Sequence, residues 1–167
     1  YIDNAERVVM LGDFFDTIGD HNTALICTWL LEKMKDKRFT FLWGNHDAHY
    51  AFKHPWFTCS GYSPLSQMLI DTRLKREHWD HFKLWTRVGD FLVSHAGFSP
   101  KTQRLISHEA HKAALDAAWE GNFHPLWMPG ECVGGPAGAV GGPTWMRWRE
   151  EWKPITDVTG AGIPQIV

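Results

Sequence analysis

Two short clusters carry residue types that bind metals and move protons. The first is Gly12-Asp13-Phe14-Phe15-Asp16, preceded by the apolar run Val8-Val9-Met10-Leu11. The second is Gly44-Asn45-His46-Asp47, preceded by Phe39-Thr40-Phe41-Leu42-Trp43. Carboxylates, an amide and an imidazole form a mixed oxygen and nitrogen donor set for a divalent cation, and an imidazole beside a carboxylate is also a proton-transfer pair. Asp after Gly alone is ordinary turn chemistry, and Asn-His-Asp alone is a polar loop. The layout occurs twice, as an apolar run of strand length, a Gly and then metal-competent side chains, and this points to one site.

The elements that must position the clusters follow from the segments around them. Parallel α/β sheets bind ligands beyond the carboxyl ends of their strands, so two adjacent strands ending this way bring both clusters to one crevice. Between them Gly19-Asp20-His21-Asn22 supplies a turn and an N-cap, and Cys27, Leu30, Leu31 and Met34 fall on one face of the helix that follows. Residues 33–38 are its solvated basic end, favourable to the helix dipole. This is a βαβ unit.

Residues 48–62 carry aromatics and histidines without a clear period and read as a loop over the site. Ser63-Pro64 starts a helix with Leu65, Met68 and Leu69 facing inward. Residues 77–85 read as a second helix with Trp79, Phe82 and Trp85 on neighbouring turns. Gly89-Asp90 turns into the strand Phe-Leu-Val-Ser, which His95-Ala96-Gly97 ends. Residues 101–119 read as helical. Gly and Pro then recur through a long flexible insertion at 121–143, which lacks the Gly-Lys-Ser/Thr ending of a phosphate-cradling loop. A short helix opens at Trp145, and residues 162–167 read as one more strand.

The 167 residues suffice for one domain with a real core, and the expectation is a single domain over 1–167. A net charge of -2, with Lys and Arg scattered, excludes bulk nucleic-acid binding as the expected role. The three cysteines, Cys27, Cys59 and Cys132, are unpatterned and odd in number, which reads as free thiols in a reducing, cytoplasmic setting. No apolar run reaches membrane-spanning length and no signal peptide opens the chain, so no membrane partner is expected.

Taken with Val93-Ser94-His95-Ala96-Gly97, the two clusters closely resemble the calcineurin-like metallophosphoesterase superfamily. Its pattern is an early Asp-x-His, Gly-Asp-x-x-Asp, Gly-Asn-His-Asp or Gly-Asn-His-Glu, a strand ending in His, and a late Gly-His. The middle three elements are present here; the first and last are not. Residues 91–100 look most like the phosphoprotein phosphatase and bacterial diadenosine tetraphosphatase branch. The resemblance implies an α/β fold, a layered α-β-β-α sandwich, here incomplete at both termini. On this reading the chain is a fragment that binds metal weakly and turns over poorly.

The resemblance also implies roles. Asp13 would bridge two divalent metals, and Asn45 and His95 would be ligands of the second. Manganese, iron or zinc all suit such a shell. Two metals activate a water and clamp the phosphoryl group. His46 would give the leaving group its proton and Asp16 would orient it, with Asp47 supporting the loop. Thr17 stands where the phosphatase branch has an Arg, and Arg147, in a region like that branch's Trp-x-Arg, either supplies a fork of donors to phosphate or is a surface Arg whose stem covers Trp145 or Trp148. The implied function is metal-dependent phosphoester hydrolysis, first of all a phosphomonoesterase like the phosphoprotein phosphatases. The alternatives are a dinucleoside polyphosphate hydrolase or phosphodiesterase, or a non-catalytic metal-binding scaffold. Substrates would be phosphorylated small molecules, nucleotides or phosphoproteins.

Two other features lead elsewhere. His108-Glu109-Ala110-His111 has the wrong spacing for a metalloprotease helix and reads as a solvated face. His49 and His54 lie near the site in sequence and either line it or, as the expected reading, are ordinary surface or core histidines.

Overall fold

Val8, Val9 and Met10 form β1 (Val8–Met10), which pairs in parallel with β2 (Phe39–Leu42) in the register Val8 to Phe39 and Met10 to Phe41. A computed structural model gives this arrangement and describes residues 4–16, 19–147, 154–156 and 162–167. Thr17 and Trp148 lie outside the described residues. The fold is mixed α/β, and the chain divides into two compact units, Tyr1–Lys83 and Leu84–Val167.

In the first unit the βαβ crossover is α1 (Thr23–Lys33), entered through a 3-10 turn at Asp20–Asn22. Cys27 and Leu30 are fully buried on its inner face, and burial pushes the Cys27 thiol up to about 11. A third parallel strand, β3 (Phe82–Lys83), extends the sheet to the order β1-β2-β3. Its aromatic core includes Trp43 stacked on Trp79 at 5.5 Å and Phe82 at 5.0 Å from Trp43.

Three sequence expectations fail here. The expected loop over 48–62 opens as helix, since residues 48–52 belong to α2 (Asn45–Phe52), in which Asp47 to Ala51 are all buried. A helix buried on most sides has no amphipathic stripe, so no period shows in its sequence. The helix expected over 77–85 is instead α4 (Arg76–Trp79), a single turn, followed by β3 and, in the second unit, β4 (Trp85–Val88). Phe82, Leu84 and Thr86 are buried and Lys83 and Arg87 exposed, a period of two that a three-residue aromatic spacing conceals. In α3 (Pro64–Arg73) the Ser63 cap and Pro64 stand as expected, but the inward face differs. Leu65 and Met68 are exposed, while Ser66 and Ile70 are buried. The Ser66 hydroxyl donates to Asp20 Oδ1 at 2.8 Å and contacts Thr23 Oγ1, and Ser63 donates to Asp20 Oδ2, so a polar contact turns this helix. Those two hydroxyls hold Asp20 below the usual carboxylate range.

In the second unit Gly89, at φ +57, and Asp90 close a hairpin between β4 and β5 (Phe91–Ser94). α5 (His108–Trp119) starts later than expected, because Ser107 Oγ accepts the Ala110 N–H and caps it there. Ala114 and Ala118 are its buried positions, and Trp127 Nε1 donates to the Ala114 carbonyl at 2.8 Å. His108 and Glu109 are exposed.

The Gly- and Pro-rich segment folds back on itself: Glu131 N donates to Ala139 O and Gly142 N to Met128 O. Residues 143–145 make a turn rather than the expected helix, with Trp145 N and Met146 N both donating to Gly142 O. The last stretch is two short strands, not one. Gly162–Ile163, β7, pairs antiparallel with β6 (Ile155–Thr156), and β8 (Gln165–Ile166) lies parallel to β5. Pro164, which has no N–H, separates them.

Candidate active site

The site is built where β1 and β2 end, on the same edge because they are parallel. Gly12 turns the chain at φ +89, and a Cβ there would fall 2.4 Å from Gly44 N. Conversely a Cβ on Gly44 would lie 2.1 Å from Asp13 Oδ1. The two glycines let the two turns touch, and no larger residue fits either place. Asp13 and Asp16 both adopt left-handed conformations, φ 56 and 67, which is uncommon off glycine and concentrates at functional sites. Phe14 and Phe15, the two residues between them, anchor the loop. Phe15 is fully buried against Tyr50 and Trp79, and Phe14 packs on Trp29, Phe41 and Phe82. Burying one such ring contributes about 2–3 kcal/mol.

Asp47 ties the turns together. Its carboxylate is wholly buried and accepts from Asp13 N at 2.8 Å, Phe14 N at 2.9 Å and Gly44 N at 3.0 Å. The last bond is the reach-back of an N3 acid to the first residue of its helix. Burial and the Asp13 charge push its pKa up, against the three amides that favour the charged form. Asp13 Oδ1 accepts the His46 N–H at 3.0 Å, so a second carboxylate caps the free amides of α2.

His46 and Asp16 meet side chain to side chain. His46 Nδ1 lies 2.9 Å from Asp16 Oδ2, which leaves Nε2 as the other edge of the ring. The Cys59 sulfur raises the His46 pKa most, burial opposes it, and Asp16 adds to the rise, to about 10. Asp16 itself is 4% exposed at the side chain and also accepts the Tyr50 hydroxyl, which in turn accepts the Ser63 N–H. His49 Nε2 faces Asp16 Oδ2 at 3.5 Å. Gly61, at φ +92, closes the far side, where a Cβ would fall 3.1 Å from Asp16 Cβ. Beyond His49 lies a cavity of about 280 Å³ lined also by Lys53, His54, Thr58, Tyr62 and Gln67.

Asp13, Asp16, Asn45, His46 and Asp47 are thus gathered within the first unit. His95 and Arg147 belong to the second. His95 follows β5 and is half-buried; the adjacent Ala96 N donates to Pro143 O, and a Cβ on Gly97 would meet Met146. Arg147 is exposed just past that Pro143–Met146 segment. Tyr50 and Cys59 join the cluster unforeseen, and His49, expected as an ordinary histidine that could at most line the site, stands within it. His49 and Tyr50 stand three and four positions after His46, the spacing that shares a helix face, and reading 45–52 as helix would have found them.

The donor set present bears on a divalent cation as follows. Asp13 and Asn45 are half-buried oxygen donors at adjacent strand ends, and the glycine-only space at Gly44 leaves Asp13 Oδ1 room beside it. Hard oxygen donors of this kind fit one side of a divalent site. Among the described residues no three His, Cys, Asp or Glu side chains converge to hold a metal.

Among the described residues no helix is long and apolar enough to cross a membrane. No curated protein and no solved structure matches the chain. A family model described as calcineurin-like phosphoesterase does match, over residues 2–151, which takes in both strand-end clusters, the β5 turn and Arg147. Nine-tenths of the chain fits that model, and the chain belongs to the calcineurin-like phosphoesterase family, whose members act on phosphoesters.

Proposed function

We propose that this chain is the hydrolytic part of a phosphomonoesterase with His46 as the acid that protonates the leaving group. The observation that carries this reading is the 2.9 Å contact between His46 Nδ1 and Asp16 Oδ2. A carboxylate on Nδ1 fixes the tautomer and the ring plane, so the proton available for transfer sits on Nε2. Asp16 is in turn held by the Tyr50 hydroxyl, and the strained φ of Asp16 is the conformation in which it meets both rings. The proton leaves Nε2 for the ester oxygen, while Nδ1–H stays on Asp16.

By the resemblance Asp13, Asn45 and His95 would hold two divalent metals, manganese first among them. Bound there, such metals supply an activated water and neutralise phosphoryl charge. Asp47 keeps Asp13 and Gly44 in register through its three amide bonds. Arg147 would bind the phosphoryl oxygens through its guanidinium.

The test is manganese-dependent hydrolysis of p-nitrophenyl phosphate by the chain, beside His46→Asn and Asp13→Asn. Loss of an acid of this type lowers kcat by about 10²–10⁴, and each substitution should fall in that range or beyond it. Faster turnover of bis(p-nitrophenyl) phosphate than of the monoester would overturn the monoester assignment. Undiminished turnover in His46→Asn would overturn the role of His46.

A further inference from the structure

Asp16 Oδ2 faces two imidazoles. His46 Nδ1 bonds it at 2.9 Å, and His49 Nε2 points at the same oxygen from 3.5 Å. The tautomer of His49 follows from its other nitrogen. Nδ1 accepts the Cys59 N–H at 3.3 Å and touches Cys59 Sγ at 3.4 Å, so the single proton of a neutral ring is on Nε2. Burial, which lowers its pKa, keeps the ring neutral. The His49 side chain is 1% exposed, and Nε2 has no hydrogen-bond partner at bonding geometry. An N–H left so in a protein interior costs about 1–3 kcal/mol, and an unsatisfied group in a folded protein calls for a reason. Phe would fill the same space between Tyr50 and Tyr62, whose rings pack edge-on against the imidazole, without that cost.

We propose that His49 is a positioning residue for His46, acting through Asp16. Its Nε2–H is a second donor for Asp16 Oδ2. It takes up that oxygen when the His46 ring turns, so the carboxylate stays where His46 returns to it, and its ring separates Asp16 from the cavity beyond. The inference rests on the reading of His46 as the proton donor and adds the residue that keeps its partner in place.

Two variants separate a donor from a filler. His49→Phe keeps a ring and removes the N–H; His49→Gln keeps an N–H that reaches Asp16. With the metal-free chain, the hydrogen-bonded Nδ1–H resonance of His46 is followed by nitrogen-edited NMR. With manganese and p-nitrophenyl phosphate, kcat and KM are measured. His49→Phe should lose the resonance to exchange and lower kcat about tenfold with KM unchanged, and His49→Gln should restore both to within about threefold. If His49→Phe does not fold, His49→Asn asks the same question, since its short amide keeps the Cys59 bond and cannot reach Asp16.

An unaltered resonance in His49→Phe, or an equal loss in Phe and Gln variants, overturns the proposal. If the unsubstituted chain hydrolyses nothing, the phosphoesterase reading of this chain fails separately, and the resonance alone decides whether His49 holds Asp16.

Discussion

In the first unit a buried carboxylate holds the strand ends, with Asp47 accepting three backbone N–H groups from Asp13, Phe14 and Gly44. In the second unit an amide holds the end of β5. Gln165 Oε1 accepts Phe98 N at 2.6 Å, its Nε2 donates to Phe98 O at 2.9 Å, and Ser94 Oγ accepts Gly97 N. Both devices fix a polar turn beyond a strand, but they differ in charge. The amide is self-complementary and neutral, so it fixes a turn at no electrostatic cost. Asp47 instead puts a second carboxylate beside Asp13, and burial together with the Asp13 charge disfavours its charged form. The anionic device costs stability and creates negative potential at a strand edge, which is where a cation is expected to sit.

Breaking the two clamps should therefore have unequal effects. Asp47→Ala leaves three buried N–H groups without an acceptor, and the expected loss is about 3–5 kcal/mol, enough to abolish a cooperative urea transition in a chain of ordinary stability. Gln165→Ala removes two bonds at a half-buried position that water can reach, and about 1–2 kcal/mol is expected. Urea titrations of both variants check the difference. Equal losses would mean that the carboxylate and the amide are interchangeable here and that charge does not set the two clamps apart. Asp47→Asn sharpens the point: one of its two oxygens becomes an NH₂ that faces a backbone donor, so it should resemble Asp47→Ala more than wild type.

What could be read in the sequence divides along similar lines. β1, β2 and β5 were legible because each is a short apolar run closed by Gly or His, and the Ser63-Pro64 cap because its mechanism is local. The pairing of His46 with Asp16 could be expected from the motif. The third and fourth members of that cluster could not, because α2 is buried nearly all round and His49, Tyr50 and Ala51 follow no stripe. The same applies to α3, whose inward side is set by the Asp20 carboxylate reaching Ser63 and Ser66 over more than forty positions, a contact no hydrophobic period encodes. Trp79, Phe82 and Trp85 misled in the opposite way: spacing of three fits a helix, whereas the chain breaks after Trp79 and alternates as a strand. Periodicity finds elements that face water on one side. It fails where polar contacts or full burial decide the orientation.

The smallest expected effect contrasts two histidines, one from each unit. His46 has its pKa raised to about 10 by Cys59 first, against burial, and by Asp16. In the metal-free chain its contribution to stability is thus complete below the ordinary value of 6.5 and is lost as pH rises through about 10. His124 has its pKa lowered by burial. Its Nδ1 accepts the Leu126 N–H at 3.2 Å and caps the 3-10 turn Pro125–Trp127. That contribution is present above 6.5 and is lost as pH falls through the folded value, since a protonated ring has no acceptor for the cap. Asn supplies a cap oxygen that does not titrate. The melting temperature of His124→Asn should consequently fall less than that of wild type between about pH 7 and about pH 5, by about 1–2 °C. His46→Gln should flatten only the alkaline limb. A His124→Asn acid limb as steep as wild type would show that the cap stays intact on protonation, and that the two units differ in their clamps but not in how their histidines answer to pH.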